Sequence, residues 1–273
     1  MPSETVVLQS HGPHPAAGWI QTCMESVRSW AQSQGFDYRF IDDTIFKPLP
    51  ADFKKRFAGR GPVLSDLARL LAIQQLHASD YQYVIWVDAD LLVFEPEALL
   101  VYGSSVKLAG AETSSEVHAR QTKIVDCAFG LETWIDLDTR KRLRAWRNVH
   151  NAFMVFERHS VVLPYLIHTI TSISRRIDPL AVAPQTFGPK LLGALHNITG
   201  FNLLTAVGAF SPPVIKDIVT GHGPYLDKLL TSQPSVPAAA NLCASLATNP
   251  VMMQAACNRL LRDGLGETGK YTY

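Results

Sequence analysis

The stretch Tyr83-Val84-Ile85-Trp86-Val87-Asp88-Ala89-Asp90-Leu91-Leu92-Val93-Phe94 decides how the rest of the chain is read. Tyr83 to Val87 is an unbroken apolar run, as expected of a central parallel strand covered on both faces. Two carboxylates follow at once. Side chains alternate along extended chain, so Asp88 and Asp90 point the same way. Two carboxylates on one side make a hard-oxygen site that suits Mg²⁺ or Mn²⁺. In open α/β sheets, ligands sit beyond the carboxyl ends of the strands. A divalent ion there would hold a diphosphate and neutralise its charge on departure. The competing reading is an Asp-rich turn that caps a helix.

Outward from this strand the chain alternates strand and helix. Residues 5–9 (TVVLQ) read as a short buried strand. Ile20, Cys23, Met24, Val27, Trp30 and Ala31 fall at helical spacing over 19–32, and Gly35 ends that helix. Residues 36–41 (FDYRFI) alternate like a strand. Strand–helix–strand is the unit of a parallel sheet. After a loop over 47–63, SDLARLLAIQQL predicts a second helix with Ser65 as its N-cap. Later, 106–111, 123–129, 151–156 and 203–207 read as strands, and 161–173, 238–246 and 251–262 as helices. The basic residues Arg140, Lys141, Arg142, Arg144 and Arg147 read as a solvated helix face, or as contacts to an anionic acceptor such as a lipid head group.

Asp66 and Arg69 are three residues apart near a helix start, hence on one face. A carboxylate accepts from sugar hydroxyls, and a guanidinium forks onto phosphate oxygens; an ordinary surface ion pair is the plainer reading. Ser10 and His11, with His14 beyond, stand at the end of the first strand as candidates to line a nucleotide pocket. Asn151 and Gln185 are candidates to face a donor sugar. His222, in Gly221-His222-Gly223-Pro224, is a candidate third metal contact or a plain loop histidine. Trp19, Trp30, Trp86 and Trp134 are expected in the core.

Ser65-Asp66-x-x-Arg69, then a hydrophobic strand and Asp88-x-Asp90, resembles family 32 glycosyltransferases. These include yeast-type α-1,6-mannosyltransferases and bacterial polysaccharide transferases. The opening LQSHGP with WIQTCMESVRSWAQSQGFDYRFIDD looks like that family's first strand, Gly-Pro turn and long helix, and Phe187-Gly188-Pro189 like its later Gly-Pro motif. The similarity runs over residues 5–215 and is strongest over 5–43 and 62–96. Two features depart: Ala78-Ser79-Asp80-Tyr81 stands where the family commonly has Gly-Gly-x-Tyr, and Ser10 or His11 where a base-stacking aromatic is usual.

The resemblance implies a GT-A fold: an α/β, Rossmann-like mixed sheet flanked by helices, with a helical C-terminal extension (domain 1–235, extension 236–273). It implies retaining transfer of a hexose from a UDP- or GDP-sugar to a saccharide, glycolipid or other hydroxyl acceptor, with Mn²⁺ or Mg²⁺ as cofactor. Asp88, Ala89 and Asp90 would meet metal and ribose; Asp66 and Arg69 would hold the donor sugar. Catalysis would then rest on electrostatic stabilisation of the departing diphosphate.

Composition bounds this. The chain has 273 residues, 47% hydrophobic and 18% charged, enough for a substantial core. With 25 basic and 24 acidic residues it lacks the excess that a nucleic-acid surface needs. Cys23, Cys127, Cys243 and Cys257 are scattered, which disfavours zinc and fits buried thiols in a reducing compartment. No basic-then-apolar leader opens the chain, so the expected location is cytoplasmic, with peripheral contact to the inner membrane face allowed. The alternatives are a phosphatase of the HAD type with Asp88 as nucleophile, and a nucleotide-sugar-binding module without activity.

Overall fold

The computed structural model describes residues 3–12, 16, 18–101 and 126–265. In chain order the elements are β1 (Thr5–Ser10), α1 (Gly18–Ser33), β2 (Asp37–Ile41), α2 (Ala51–Arg56), α3 (Gly61–His77), β3 (Tyr83–Val87), β4 (Leu91–Val93), β5 (Cys127–Leu137), β6 (Leu143–Glu157), α4 (Val162–Ser174), α5 (Leu191–Thr199), β7 (Asn202–Leu204), β8 (Val207–Ala209), α6 (Pro212–Thr220), α7 (Pro224–Ser232), β9 (Ala239–Asn241) and α8 (Pro250–Asp263). The main sheet has the order β2-β1-β3-β6-β5-β7, and a small sheet has the order β4-β9-β8. β1 is parallel to β2 and β3, while β6 is antiparallel to both β3 and β5. This is the expected mixed α/β sheet flanked by helices.

The all-apolar run of β3 is explained by its place. It lies between β1 and β6 and is buried at every residue. Val84 and Trp86 face the α3 side, packing with Leu67 and Ile73, whereas Ile85 and Val87 face α1 with Val27 and Trp30. α1 buries Ile20, Cys23, Val27, Trp30 and Ala31 at the spacing read from sequence. It ends as Gly35 takes φ 71°, with the Phe36 amide donating back to the Ala31 carbonyl.

Several expectations need correction. The segment 47–63, read as loop, contains α2, and Trp134, expected in the core, is only partly buried. α3 begins at Gly61 with Pro62 in its first turn, so Ser65 lies inside the helix rather than capping it; the fixed φ of proline is already helical and starts the turn earlier. The basic run is no helix face. Asp138 accepts from the Arg140 and Arg142 amides, Lys141 takes φ 58°, and the chain folds back as a β5–β6 hairpin. Residues 238–246 are not helical: Ala239–Asn241 is a buried strand between β4 and β8, followed by a short 3-10 turn. Here pairing on both edges overrides the helix propensity of alanine. Finally, 203–207 divides into β7 and β8, which belong to different sheets. The strand expected over 106–111, and His14, lie outside the described residues.

One irregularity positions the site. β5 and β6 pair Phe129 with Met154, then Gly130 with His150, so Asn151, Ala152 and Phe153 are skipped. The bulge is held by the buried His150, whose Nδ1 accepts from the Ala152 amide while Nε2 reaches the Val207 carbonyl. Burial keeps this imidazole neutral by lowering its pKa. Gly130 is obligatory opposite it: a Cβ there would stand 2.2 Å from His150 Nε2. Gly130→Ala is therefore expected to destabilise the fold by about 1–3 kcal/mol, as overpacking does, which urea unfolding would measure.

Candidate functional site

The carboxyl ends of β1 and β3, with the second turn of α3, enclose a cavity of about 190 Å³. Ser10 and His11 line it from β1, Ser65 and Arg69 from α3, and Trp86, Asp88, Ala89 and Asp90 from the end of β3. Ile20, Ile45, Phe46 and Ala244 complete the wall. A second cavity, about 300 Å³, adjoins through His11 and is bounded by α1 and Phe40.

Arg69 organises the smaller cavity. Its Nη1 lies 3.2 Å from Asp88 Oδ1 and donates at 3.1 Å to the Asn151 carbonyl; Nε donates to Ser65 O. Its guanidinium lies over the Trp86 ring, 5.2 Å from the centroid. Trp86 Nε1 in turn donates to Asp88 Oδ1 at 2.6 Å. Among the described residues both contacts on Asp88 fall on Oδ1, which leaves Oδ2 open; the side chain is 24% exposed. Trp86 was expected as core, and it is buried, but it also belongs to this site.

Asp66 is buried on the same helix face; like Asn151 it is not part of the cavity wall and meets it through Arg69. Oδ1 accepts from Asn151 Nδ2 at 2.8 Å and lies 3.8 Å from Arg69. Oδ2 is buried and has no hydrogen-bond partner among the described residues. Burial outweighs the help from Arg69 and Asn151 and pushes the carboxyl up to about 6. The bulge in β6 brings Asn151 here, and Gly188 closes the other side. A Cβ on Gly188 would lie 2.6 Å from Asn151 Nδ2 and 3.1 Å from Asp66 Oδ1. The Phe187-Gly188-Pro189 motif thus lets backbone approach a buried carboxylate, for which glycine is needed.

Asp90 is held differently. Its Oδ1 accepts from Asn241 Nδ2 at 2.7 Å and its Oδ2 from the Ala244 amide at 2.7 Å. Burial, then the charge of Asp88, push it up to about 6. Asn241, Ala244, Trp86 and Gln9 were missed in the sequence. Gln9 is fully buried and donates to the Asp88 carbonyl, with its own oxygen accepting from Tyr38.

The other candidates stand apart. Gln185 is exposed just before the Phe187–Pro189 turn and is absent from the cavity wall. His222 is exposed in the α6–α7 loop, also away from the wall. Among the described residues no group of three His, Cys, Asp or Glu side chains comes together as a metal position. Asp88, already engaged by Arg69 and an indole N–H, is poorly placed as the nucleophile of a phosphatase.

No family model and no curated protein matches the chain. Among solved structures it is similar to a glycosyltransferase involved in glycosylation of the major capsid of PBCV-1, at 10% identity over 94% of this chain and 99% of that one, with a TM-score of 0.47. It is also similar to apo mouse xyloside xylosyltransferase 1, at 10% identity over 91% of this chain and 100% of that one, with a TM-score of 0.43.

Proposed function

We propose that the chain is a GT-A glycosyltransferase that moves a sugar, with retention, from a nucleoside diphosphate sugar to a hydroxyl acceptor. The observation that carries this reading is Asp66: a buried carboxylate with one oxygen unpartnered among the described residues, on α3 beside Arg69, which reaches Asp88 at the end of β3. An unmet acceptor in such a place costs stability unless a ligand hydroxyl satisfies it. In this assignment Asp66 takes donor-sugar hydroxyls, Asn151 fixes the Asp66 rotamer, and Arg69 binds the diphosphate side. The nucleoside occupies the larger cavity beyond His11, since a whole nucleotide sugar needs more than the smaller one.

The donor set fits Mg²⁺ or Mn²⁺, which bind through one or two carboxylates and substrate phosphates. Asp88 Oδ2 and the hydrogen-bonded carboxylate of Asp90 would hold the ion; bound, it supplies charge neutralisation of the diphosphate. The chain's own work is positional. Trp86 and Arg69 lock Asp88, while Asn241 and the Ala244 amide lock Asp90, so little reorganisation remains when charge develops on the leaving group.

The test is thermal unfolding with Mn²⁺ and a panel of UDP- and GDP-sugars. A donor at a hundredfold excess over its Kd is expected to add about 2.7 kcal/mol of stability, which EDTA removes. No metal-dependent stabilisation by any member of the panel would sink the reading.

A further inference from the structure

Beyond residues 130 and 150 the β5–β6 hairpin leaves the main sheet and continues as a ribbon in which, among the described residues, the two strands pair with each other alone. One face of the ribbon is covered: Ile135, Leu143 and Ala145 pack with Leu226 and Leu229 of α7, and Arg147 donates to the Ser232 carbonyl. The cross-strand pairs Glu132–Asn148, Trp134–Trp146 and Asp136–Arg144 share the other face. Trp146 is 41% exposed there, and Leu137 near the tip is 45% exposed. Residues 136–147 carry Arg140, Lys141, Arg142, Arg144 and Arg147 against only Asp136 and Asp138, on a chain whose net charge is +1. Asp138 is engaged by Arg142 and Arg144, and Arg140 and Lys141 are exposed at the turn.

We propose that this ribbon is a docking surface for a lipid bilayer with anionic headgroups. An exposed indole beside basic side chains matches both halves of such an interface: the amphipathic ring sits at headgroup depth, and the cations meet the negative surface potential. No helix among the described residues is long and apolar enough to cross a membrane. Trp146 and Asn151 lie on the same strand, about 17 Å apart along it. A bilayer docked on the ribbon brings the cavity within reach of an acceptor anchored in that bilayer. This last step rests on the sugar-transfer reading; docking itself does not.

The test is sedimentation of the full chain with vesicles of phosphatidylcholine alone and with phosphatidylglycerol added. Binding is expected only to the anionic vesicles and to weaken with salt. Arg140→Gln with Lys141→Asn is expected to weaken it roughly fivefold per charge removed. Trp146→Ser is expected to weaken it while the chain unfolds in urea with a midpoint close to that of the parent, since the ring is 41% exposed. Absence of sedimentation with anionic vesicles, or unchanged binding by both variants, would overturn the proposal. So would retention on an anionic polysaccharide without vesicle binding, which would make the ribbon a saccharide surface. Turnover of a soluble donor reports separately on the cavity: its absence with vesicle binding intact counts against sugar transfer and leaves docking standing.

Discussion

Asp88→Asn is expected to lower sugar transfer on the order of 10²–10³-fold while the protein keeps its fold, the range set by loss of one preorganised electrostatic contact. The substitution keeps the acceptor that Trp86 Nε1 and Arg69 use and removes the charge. Trp86 donates at 2.6 Å and Arg69 at 3.2 Å, so an amide oxygen can stand in for Oδ1. What is lost is the attraction for a cation at Oδ2. The defect should therefore be in metal-dependent donor binding and turnover, with unfolding by urea little changed. Retained activity, or loss of activity through unfolding, would each show that Asp88 has another task.

Gly188→Ala is the second large effect. The added methyl would stand 2.6 Å from Asn151 Nδ2. Either Asn151 swings off Asp66 or the Phe187–Pro189 turn retreats. In both cases Asp66 loses the amide that fixes its rotamer at 2.8 Å. A shift of about 1 Å in a positioning group costs about 10²-fold in rate. Overpacking adds about 1–3 kcal/mol of destabilisation. Assayed at a temperature where the variant is fully folded, kcat should fall even with saturating donor. A variant with normal kcat would mean that the Asp66–Asn151 contact is only structural.

The parts of the site that were legible in the sequence are the parts written in local pattern. An unbroken apolar run marked the central strand, and the residues just after it had to lie at the open end of the sheet. Asp66 and Arg69 shared a helix face by spacing alone; Arg69 reaches Asp88, and Asp66 lies beside Arg69. The illegible parts depend on pairings between distant segments. Asn241 reaches Asp90 across 151 positions, from a strand whose alanines read as helix. Asn151 was a candidate, yet its role comes from a three-residue skip in β6 that no periodicity reveals. Trp86 read as core because burial and a hydrogen bond to a ligand site leave the same trace in composition. Ser65 fitted a cap until Pro62 started the helix a turn earlier. The hairpin turned on Asp138 binding the Arg140 and Arg142 amides, chemistry that a count of basic residues hides.

The most direct measurement is donor consumption. The full chain is incubated with Mn²⁺ and each UDP- and GDP-sugar, and release of the nucleoside diphosphate is followed with and without EDTA. Metal-dependent release from at least one donor, lost in Asp66→Ala and Asp88→Asn, is the predicted result; release that is absent for every donor, or indifferent to both substitutions, would contradict assignment of this cavity to sugar transfer.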